Sequence, residues 1–253
     1  MVGALMQRLY GSDDLFPDGP GDVCRPYQSV NYITAHDGFC RYDLVSYNNK
    51  HNEANGNGNT DGPADNRSWN CGWEGDYSAP PEVVALRKRQ VKNFFILLML
   101  ANGTPMFCAG DEFLNTQRGN NNPYNQDNET TWLDWSLLEK NRDMFRYFQH
   151  MIAFRKARPW IGRSRYWRED VHWYGAEGQV DFGSHTLAYC LHGERNLYVM
   201  INAFWEPVVF QIQEGENWMR LLDTSRDDLV AEPISSLTYK MTPRSIAVLE
   251  STS

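Results

Sequence analysis

The stretch Val30–Phe39, which reads VNYITAHDGF, places an imidazole and a carboxylate side by side directly after an apolar run. That run, Val30–Ala35, is rich in β-branched residues and predicts a strand, so His36 and Asp37 stand at its carboxyl end. Ligands of parallel α/β proteins bind at the carboxyl ends of strands. An aspartate there can accept hydrogen bonds from two neighbouring hydroxyls of a sugar while a histidine donates another. The alternative is structural, because an aspartate after a strand often begins a turn or caps a helix.

A second pair of carboxyl groups, Asp111 and Glu112, follows the apolar run Pro105–Ala109 in the same way. Asp111 is a candidate sugar ligand, although either residue could instead cap the segment that follows. The sequence has no GxSxG motif and no phosphate-binding glycine loop. The run NGNTDG resembles the start of a calcium loop, but Ser68 stands where position twelve requires a glutamate. The histidines lack HxxxH spacing, so the sequence predicts no metal site.

The two apolar runs are joined by a segment with helical periodicity. Residues 80–101 predict a helix because two prolines open the segment, Asn102-Gly103 closes it, and its apolar residues recur at helical spacing. Strand, helix and strand in this order form a βαβ unit, in which the strands are parallel and buried on both faces. A further helix is predicted over residues 142–157.

Two long polar loops, residues 47–79 and 115–135, are rich in asparagine and glycine but also hold aromatic residues. Composition alone favours disorder for such segments, whereas a long loop inside a compact domain usually has a function. The candidate stacking platforms for sugar rings are therefore Trp69, Trp73, Tyr124, Trp132 and Trp135, with ordinary packing as the alternative for each tryptophan.

From Arg165 onward the pattern changes to short strands, separated by turn residues at the spacing of a β-sandwich. The predicted strands are RYW, VHWYG, TLAYCL, NLYVMINAF, PVVFQI, TYKM and SIAVLE. We therefore predict two domains, residues 1–162 and 163–253, with the boundary near Gly162.

Composition narrows the class of protein. The 253 residues carry a net charge of −8, which argues against nucleic acid or an anionic membrane as the partner. The five cysteines are odd in number and widely spaced, so we expect neither a disulfide framework nor a CxxC site. The first residues do not read as a secretory signal, and no apolar stretch has the length of a membrane span. The expected location is cytoplasmic.

Beyond these patterns, the sequence resembles a known family. The segment VNYITAHDGFCRYDLVSYNNKHNEANGNGNTDGPADNRSWNCGWEG resembles the glycogen debranching enzymes of the isoamylase type, within the alpha-amylase superfamily. The resemblance continues through GTPMFCAGDEFLNTQRGNNNPYNQDNETTWLDW and, less strongly, through LYVMINAFWEPVVFQI, LLDTS and TPRSIAVLES. It covers nearly the whole chain.

The resemblance implies an α/β part followed by an all-β part. The first, residues 1–162, would hold strands seven and eight of a (β/α)₈ barrel with their helices, and the second, residues 163–253, an antiparallel β-sandwich. Asp37 matches the family's transition-state stabiliser and His36 its substrate-gripping histidine. Enzymes of this family are glycoside hydrolases that cleave α-1,6 branch linkages of glycogen or related α-glucans with retention of configuration. No cofactor is implied.

The sequence departs from the family pattern at the bond-breaking groups. A retaining glycosidase needs a nucleophile and an acid/base carboxylate about 5–5.5 Å apart. The family carries them on barrel strands four and five, which have no counterpart in these residues. We therefore expect the chain alone to be inactive, either as a truncated product or as one half that an N-terminal fragment with barrel strands one to six completes. The alternatives are a non-catalytic α-glucan-binding module and an inactive remnant.

Overall fold

The computed structural model of the chain describes residues 1–19, 24–215 and 217–252. Within these ranges the helices are α1 (Val2–Tyr10), α2 (Arg41–Leu44), α3 (Pro81–Leu100), α4 (Ser136–Lys140) and α5 (Arg142–Lys156). The strands are β1 (Val30–Asn31), β2 (Thr104–Pro105), β3 (Val171–Tyr174), β4 (Thr186–Leu191), β5 (Leu197–Asn202), β6 (Val208–Gln211), β7 (Trp218–Asp223), β8 (Glu232–Ile234), β9 (Thr238–Met241) and β10 (Ser245–Ser251). None of the described helices combines the length and the apolar character needed to span a membrane.

The chain divides into two compact units that alternate along the sequence. The first unit comprises Met1–Asn31, Ile96–Pro105 and Ala153–Ser253, and the second comprises Tyr32–Phe95 and Met106–Ile152. The division of the chain at Gly162 into a barrel part and a sandwich stays a prediction.

The long helices begin and end close to where the sequence signals place them. α3 begins at Pro81 and α5 at Arg142, so both predicted helices are confirmed. α1 ends at Gly11, which adopts a left-handed φ of 115° and donates its amide to the carbonyl of Gln7. A side chain is strained in that conformation, which explains why glycine stands there.

The parallel pairing predicted for the βαβ unit is confirmed, but both strands are shorter than predicted. β1 and β2 run parallel, with Val30 opposite Thr104 and Asn31 opposite Pro105. The predicted strands Val30–Ala35 and Pro105–Ala109 thus contribute only their first residues to the ladder. Val30 is half exposed, so the expectation of burial on both faces is wrong for this residue. An isolated pair of strands has few partners for its backbone, which limits its length.

The all-β character predicted for the later part of the chain is confirmed as two antiparallel sheets in the first unit. One sheet has the order β3-β4-β5-β10-β7-β8, and the other pairs β6 with β9. A single buried cluster takes residues from both sheets: Ala188, Cys190, Tyr198, Met200, Phe210, Ile212, Trp218, Met241, Ala247 and Leu249. Positions two apart on β4, β5 and β10 recur in this cluster, as the alternation of side chains along a strand requires.

The strand prediction failed for three segments. The segment RYW is not a strand: Trp167 is buried in a loop and donates its indole N–H to the carbonyl of Ile161, 3.0 Å away. Conversely, β7 and β8 were not predicted. On β7 an arginine, Arg220, occupies a buried position and pairs with Glu232 of β8 at 2.8 Å. A charged residue at an inward position hides the apolar alternation on which strand prediction depends.

In the second unit, aromatic rings pack between α3 and α5. Phe95 stacks on Phe148 with ring centres 3.7 Å apart, and Phe107 meets Phe95 edge-on at 5.3 Å. Arg87 of α3 is buried and donates to the carbonyl of Gly75 at 2.9 Å. This helix therefore provides both the apolar core of the second unit and an anchor for the polar loop 47–79.

Candidate functional site

An open cavity of about 370 Å³ lies within the second unit, at the residues that the sequence singled out. Its lining comes from three stretches of chain: Ala35, His36, Asp37 and Cys40; then Cys108, Ala109, Gly110, Asp111, Asn115 and Gln117; then Asn122, Pro123, Tyr124, Thr131 and Leu133. Three of the predicted site residues, His36, Asp37 and Asp111, are thus brought together.

His36 and Asp37 stand at the rim of this cavity with their side chains 91% and 89% exposed. The imidazole Nε2 lies 3.4 Å from Oδ2 of the carboxylate. The next residue, Gly38, has a φ of 84° and donates its amide to the carbonyl of Asn121 at 3.1 Å. α2 begins after Cys40, which supplies no side-chain cap. The exposed position of the pair favours the ligand-binding interpretation over the capping one.

Asp111 lies on the cavity wall, but its carboxylate is buried and already bound within the protein. Oδ1 accepts the backbone N–H of Arg41 at 3.3 Å, and Oδ2 accepts that of Cys108 at 3.1 Å. The guanidinium Nε of Arg41 lies 3.4 Å from Oδ2. Burial raises the pKa of Asp111, while the positive charge of Arg41 opposes the rise. These contacts fix the first turn of α2, which begins four positions after Asp37.

The predicted tryptophans are exposed but lie outside the cavity lining formed by described residues. Trp69 and Trp73 are each more than a third exposed, and Trp132 more than half. The indole N–H of Trp73 donates to the carbonyl of Tyr77 at 2.9 Å, and that of Trp132 to Asp127 at 3.0 Å. Of the predicted platforms, Tyr124 does line the cavity, and it is 73% exposed.

The two polar loops are joined by buried asparagine side chains. Asn52 donates its amide to Oδ1 of Asn121 at 2.8 Å, and the backbone N–H of Asn121 donates to Oδ1 of Asn52 at 2.9 Å. Asn120 and Asn55 form a second such contact at 2.8 Å. An asparagine side chain carries the same kinds of donor and acceptor as a peptide group. These side chains therefore form, between two segments that are not paired in a sheet, the hydrogen bonds that backbone groups form in a sheet. The high asparagine content, which by itself favours disorder, here supplies the hydrogen bonds that order the two loops.

The segment that resembles a calcium loop is filled by a lysine. The ammonium of Lys50 donates to the carbonyls of Asp61 at 2.7 Å, Gly62 at 3.1 Å and Thr60 at 3.4 Å. The Asp61 carboxylate accepts the amide of Asn55 at 2.8 Å. The ammonium of Lys50 thus occupies three carbonyl oxygens within this turn, and its positive charge would repel a second cation there.

A buried carboxylate that the sequence analysis did not single out supports the cavity wall. Asp43 on α2 accepts the Thr116 hydroxyl, the amide of Gln117 at 2.9 Å and that of Gly119 at 3.0 Å. Burial raises the pKa of Asp43 to about 6, against the lowering effect of these hydrogen bonds. Gln117 itself lines the cavity. No local pattern marks Asp43, because its partners lie more than 70 positions away in the sequence.

Searches against known proteins give relatives that extend beyond this chain. Isoamylase 3 of Oryza sativa subsp. japonica is 40% identical over 99% of the chain, and a glycogen operon protein GlgX homolog of Haemophilus influenzae is 44% identical over 95%. A GlgX homolog of Mycobacterium tuberculosis is 37% identical over 99%. The chain spans only 33%, 38% and 39% of the lengths of these three proteins, respectively. A scan against models of protein families gave no match.

Solved structures show which fold the chain resembles. Pullulanase from Bacillus acidopullulyticus superposes with a TM-score of 0.72 at 18% identity, covering 98% of this chain and 26% of the pullulanase. Pullulanase type I from Bacillus subtilis, solved with maltose, gives 0.71 at 20% identity, covering 99% of this chain and 31% of its own. The chain therefore has a pullulanase-like fold of mixed helices and antiparallel sheets, and over nearly its whole length it is homologous to isoamylases and to GlgX glycogen operon proteins.

Proposed function

We propose that this chain forms one side of the substrate site of a glycoside hydrolase that cleaves α-1,6 branch linkages in glycogen or related α-glucans with retention of configuration. The observation that carries the proposal is the exposed His36–Asp37 pair at the rim of an open cavity of about 370 Å³. The names of the relatives support it, since they are isoamylases and glycogen operon proteins. So do the neighbouring pullulanase structures, one of which was solved with maltose and another with maltotetraose.

Asp37 acts in this proposal as the transition-state stabiliser. Its exposed carboxylate can accept hydrogen bonds from two adjacent sugar hydroxyls, and those bonds strengthen as the ring flattens towards an oxocarbenium ion. The negative charge also favours the positive charge that develops on the ring. His36 donates a further hydrogen bond to the same sugar, and Tyr124 offers a ring face from another stretch of the lining.

The groups that break the bond belong, in this proposal, to polypeptide outside these 253 residues. The second carboxylate of the cavity lining, Asp111, is buried and held by Arg41 and Cys108, so it is poorly placed to attack a sugar or to protonate an oxygen. Asp111 therefore acts through the positioning of α2. An N-terminal fragment with barrel strands one to six would supply the nucleophile and the acid/base.

Binding can be tested by affinity electrophoresis of the full chain in gels that contain glycogen. We expect glycogen to retard the wild type, and Asp37→Ala or His36→Ala to weaken retention about tenfold, because each removes hydrogen bonds to the sugar. Glu129→Ala is the matched control, since it removes one exposed carboxylate that does not line the cavity. Equal retention of the wild type, Asp37→Ala and Glu129→Ala would contradict a sugar site at this pair.

Catalysis is tested separately with branched maltodextrin and a reducing-end assay. We expect no hydrolysis by the chain alone, and hydrolysis after a fragment with barrel strands one to six is added. In the mixture Asp37→Asn should abolish turnover while the Glu129→Ala control keeps it. Hydrolysis by the isolated chain would show that the bond-breaking carboxylates lie within it.

The exposed tryptophans favour a second candidate, a non-catalytic α-glucan-binding module. Trp69, Trp73 and Trp132 present ring surface in the second unit without lining the cavity. If retention in glycogen gels survives Asp37→Ala but fails when these residues are changed to alanine, stacking carries the binding and the module is the better description.

A further inference from the structure

Two histidines that are far apart in the sequence meet on one face of the six-stranded sheet, in the first unit. His172 lies on β3, opposite Cys190 of β4. His192 follows β4 two positions after Cys190, so its side chain lies on the same face as a diagonal neighbour of His172. The centres of the two imidazole rings are 4.7 Å apart, and the rings meet edge-on.

A glutamate from the segment after β6 completes the group. Glu214 places Oε1 2.6 Å from Nδ1 of His172 and Oε2 2.7 Å from Nε2 of His192. The Tyr174 hydroxyl also donates to Oε1, and the indole N–H of Trp218 donates to the Glu214 carbonyl at 2.9 Å. Tyr174 on β3 therefore fixes the carboxylate, and Trp218 on β7 fixes the backbone of Glu214.

These three side chains have the composition and the spacing of a metal site. One ligand atom from each can be chosen so that all lie within 4.8 Å of one another. Two imidazoles and a carboxylate are a donor set that zinc accepts, with a water as the fourth ligand. Ligand atoms about 2.0–2.2 Å from a tetrahedral ion lie about 3.4 Å apart. Since the nitrogen–oxygen distances are 2.6 and 2.7 Å, a small rotation of the rings would admit the ion.

We propose that His172, His192 and Glu214 bind a divalent transition-metal ion of the zinc type. His172 is half exposed, which leaves a path for the ion and room for a bound water. Tyr174 fulfils the further requirement that a ligating carboxylate be hydrogen-bonded from outside the coordination sphere. Without metal, the three side chains satisfy one another through hydrogen bonds, so the site can exist both empty and filled.

The location of the site indicates a structural role. β3 is the edge strand of the six-stranded sheet, and β6 belongs to the two-stranded sheet that shares the same core. An ion held by His172, His192 and Glu214 would join the edge hairpin to the segment that leaves the second sheet. A metal that binds only the folded state stabilises that state.

The test uses the full chain after removal of bound metal with a chelator. Titration with zinc chloride, followed by calorimetry, should give one site per chain, and saturating zinc should raise the thermal midpoint by about 5 °C. Cobalt(II) should give the visible absorption bands of a four- or five-coordinate site. Glu214→Gln and His172→Gln should each lower zinc affinity at least tenfold and remove the rise in midpoint.

His185→Gln is the matched control, because this histidine belongs to the same unit but stacks on Phe204 outside the cluster. It should bind zinc as the wild type does. The proposal is overturned if zinc neither binds nor shifts the wild-type midpoint, or if the His172→Gln and His185→Gln variants behave alike. Because His172 is half exposed, its glutamine variant should fold even if Glu214→Gln does not.

Discussion

Replacement of Arg41 by methionine should destabilise the protein by about 3–5 kcal/mol at pH 7. The guanidinium is fully buried, with Nε 3.4 Å from Oδ2 of Asp111 and its central carbon 5.5 and 5.8 Å from the ring centres of Phe95 and Phe148. Removal of one partner of a buried pair leaves the other charge without compensation, which accounts for this magnitude. Methionine can fill much of the space that the arginine side chain occupies beside the two rings, so the loss is chiefly electrostatic.

The loss of stability depends on pH, and the pKa of Asp111 determines whether it grows or shrinks as pH changes. Burial raises that pKa already, and Arg41 opposes the rise, so the pKa increases further in Arg41→Met. A carboxyl whose pKa is higher in the folded state stabilises the fold below its unfolded pKa of about 3.9, and the contribution is lost as pH rises. The deficit of Arg41→Met relative to the wild type should therefore shrink as pH falls from 7 towards 4.

Urea unfolding followed by tryptophan fluorescence at both pH values measures this deficit. The Asp111→Asn variant supplies the second arm of a double-mutant cycle. Because the double variant buries neither charge, its loss should be at least about 2 kcal/mol smaller than the sum of the single losses. A loss below about 1 kcal/mol for Arg41→Met at pH 7, or additive losses, would refute the assignment of Asp111 as a buried, structural partner of Arg41.

Three further predictions concern the loops and α2, and urea unfolding measures each. Asn121→Ala removes buried amide hydrogen bonds that join the two polar loops, and it should cost about 2–4 kcal/mol. Gly62→Ala should destabilise more than Gly58→Ala: both residues have positive φ, but only at Gly62 would a Cβ lie 2.3 Å from the Asn121 side chain. The Asp43 pKa of about 6 exceeds its ordinary 3.8, so as pH rises from 4 to 6 the wild type should lose about 2 kcal/mol that Asp43→Asn does not lose.

Each of these has an outcome that would contradict it. A loss below about 1 kcal/mol for Asn121→Ala would mean that the asparagine contacts contribute little to order in the loops. Equal stability of the two alanine variants would show that the crowding at Gly62 is relieved without cost. If Asp43→Asn follows the same pH dependence as the wild type, another group titrates in that range.

The sequence predicted the long helices because their signals are local. Prolines at the start of α3 and the Asn102-Gly103 stop lie within the segment that they define. The strands β1 and β2 were predicted in direction but not in length, because the extent of a ladder depends on neighbouring strands that the segment itself does not encode. Strand β7 was not predicted because the buried Arg220 interrupts its apolar alternation, and the partner that neutralises this arginine lies on another strand.

In the candidate site, too, the residues that are adjacent in the sequence could be predicted, whereas contacts between residues far apart in the sequence could not. His36 and Asp37 could be found because they are adjacent to each other and follow an apolar run. The pairing of Asn52 with Asn121 spans 69 positions, and composition alone is equally typical of a disordered segment. Likewise the meeting of His172 with His192 follows from strand register, which the spacing of histidines in the sequence does not express.

The lysine within the asparagine-rich loop has a consequence for how this surface responds to its surroundings. Because the positive charge of Lys50 is covalently attached, it cannot diffuse away, and the carbonyls of Asp61 and Gly62 stay occupied whatever salts are present. A loop organised around a captured ion would loosen when a chelator strips that ion from solution. This loop should keep its shape in such a buffer, so that the region beside the cavity is insensitive to calcium supply.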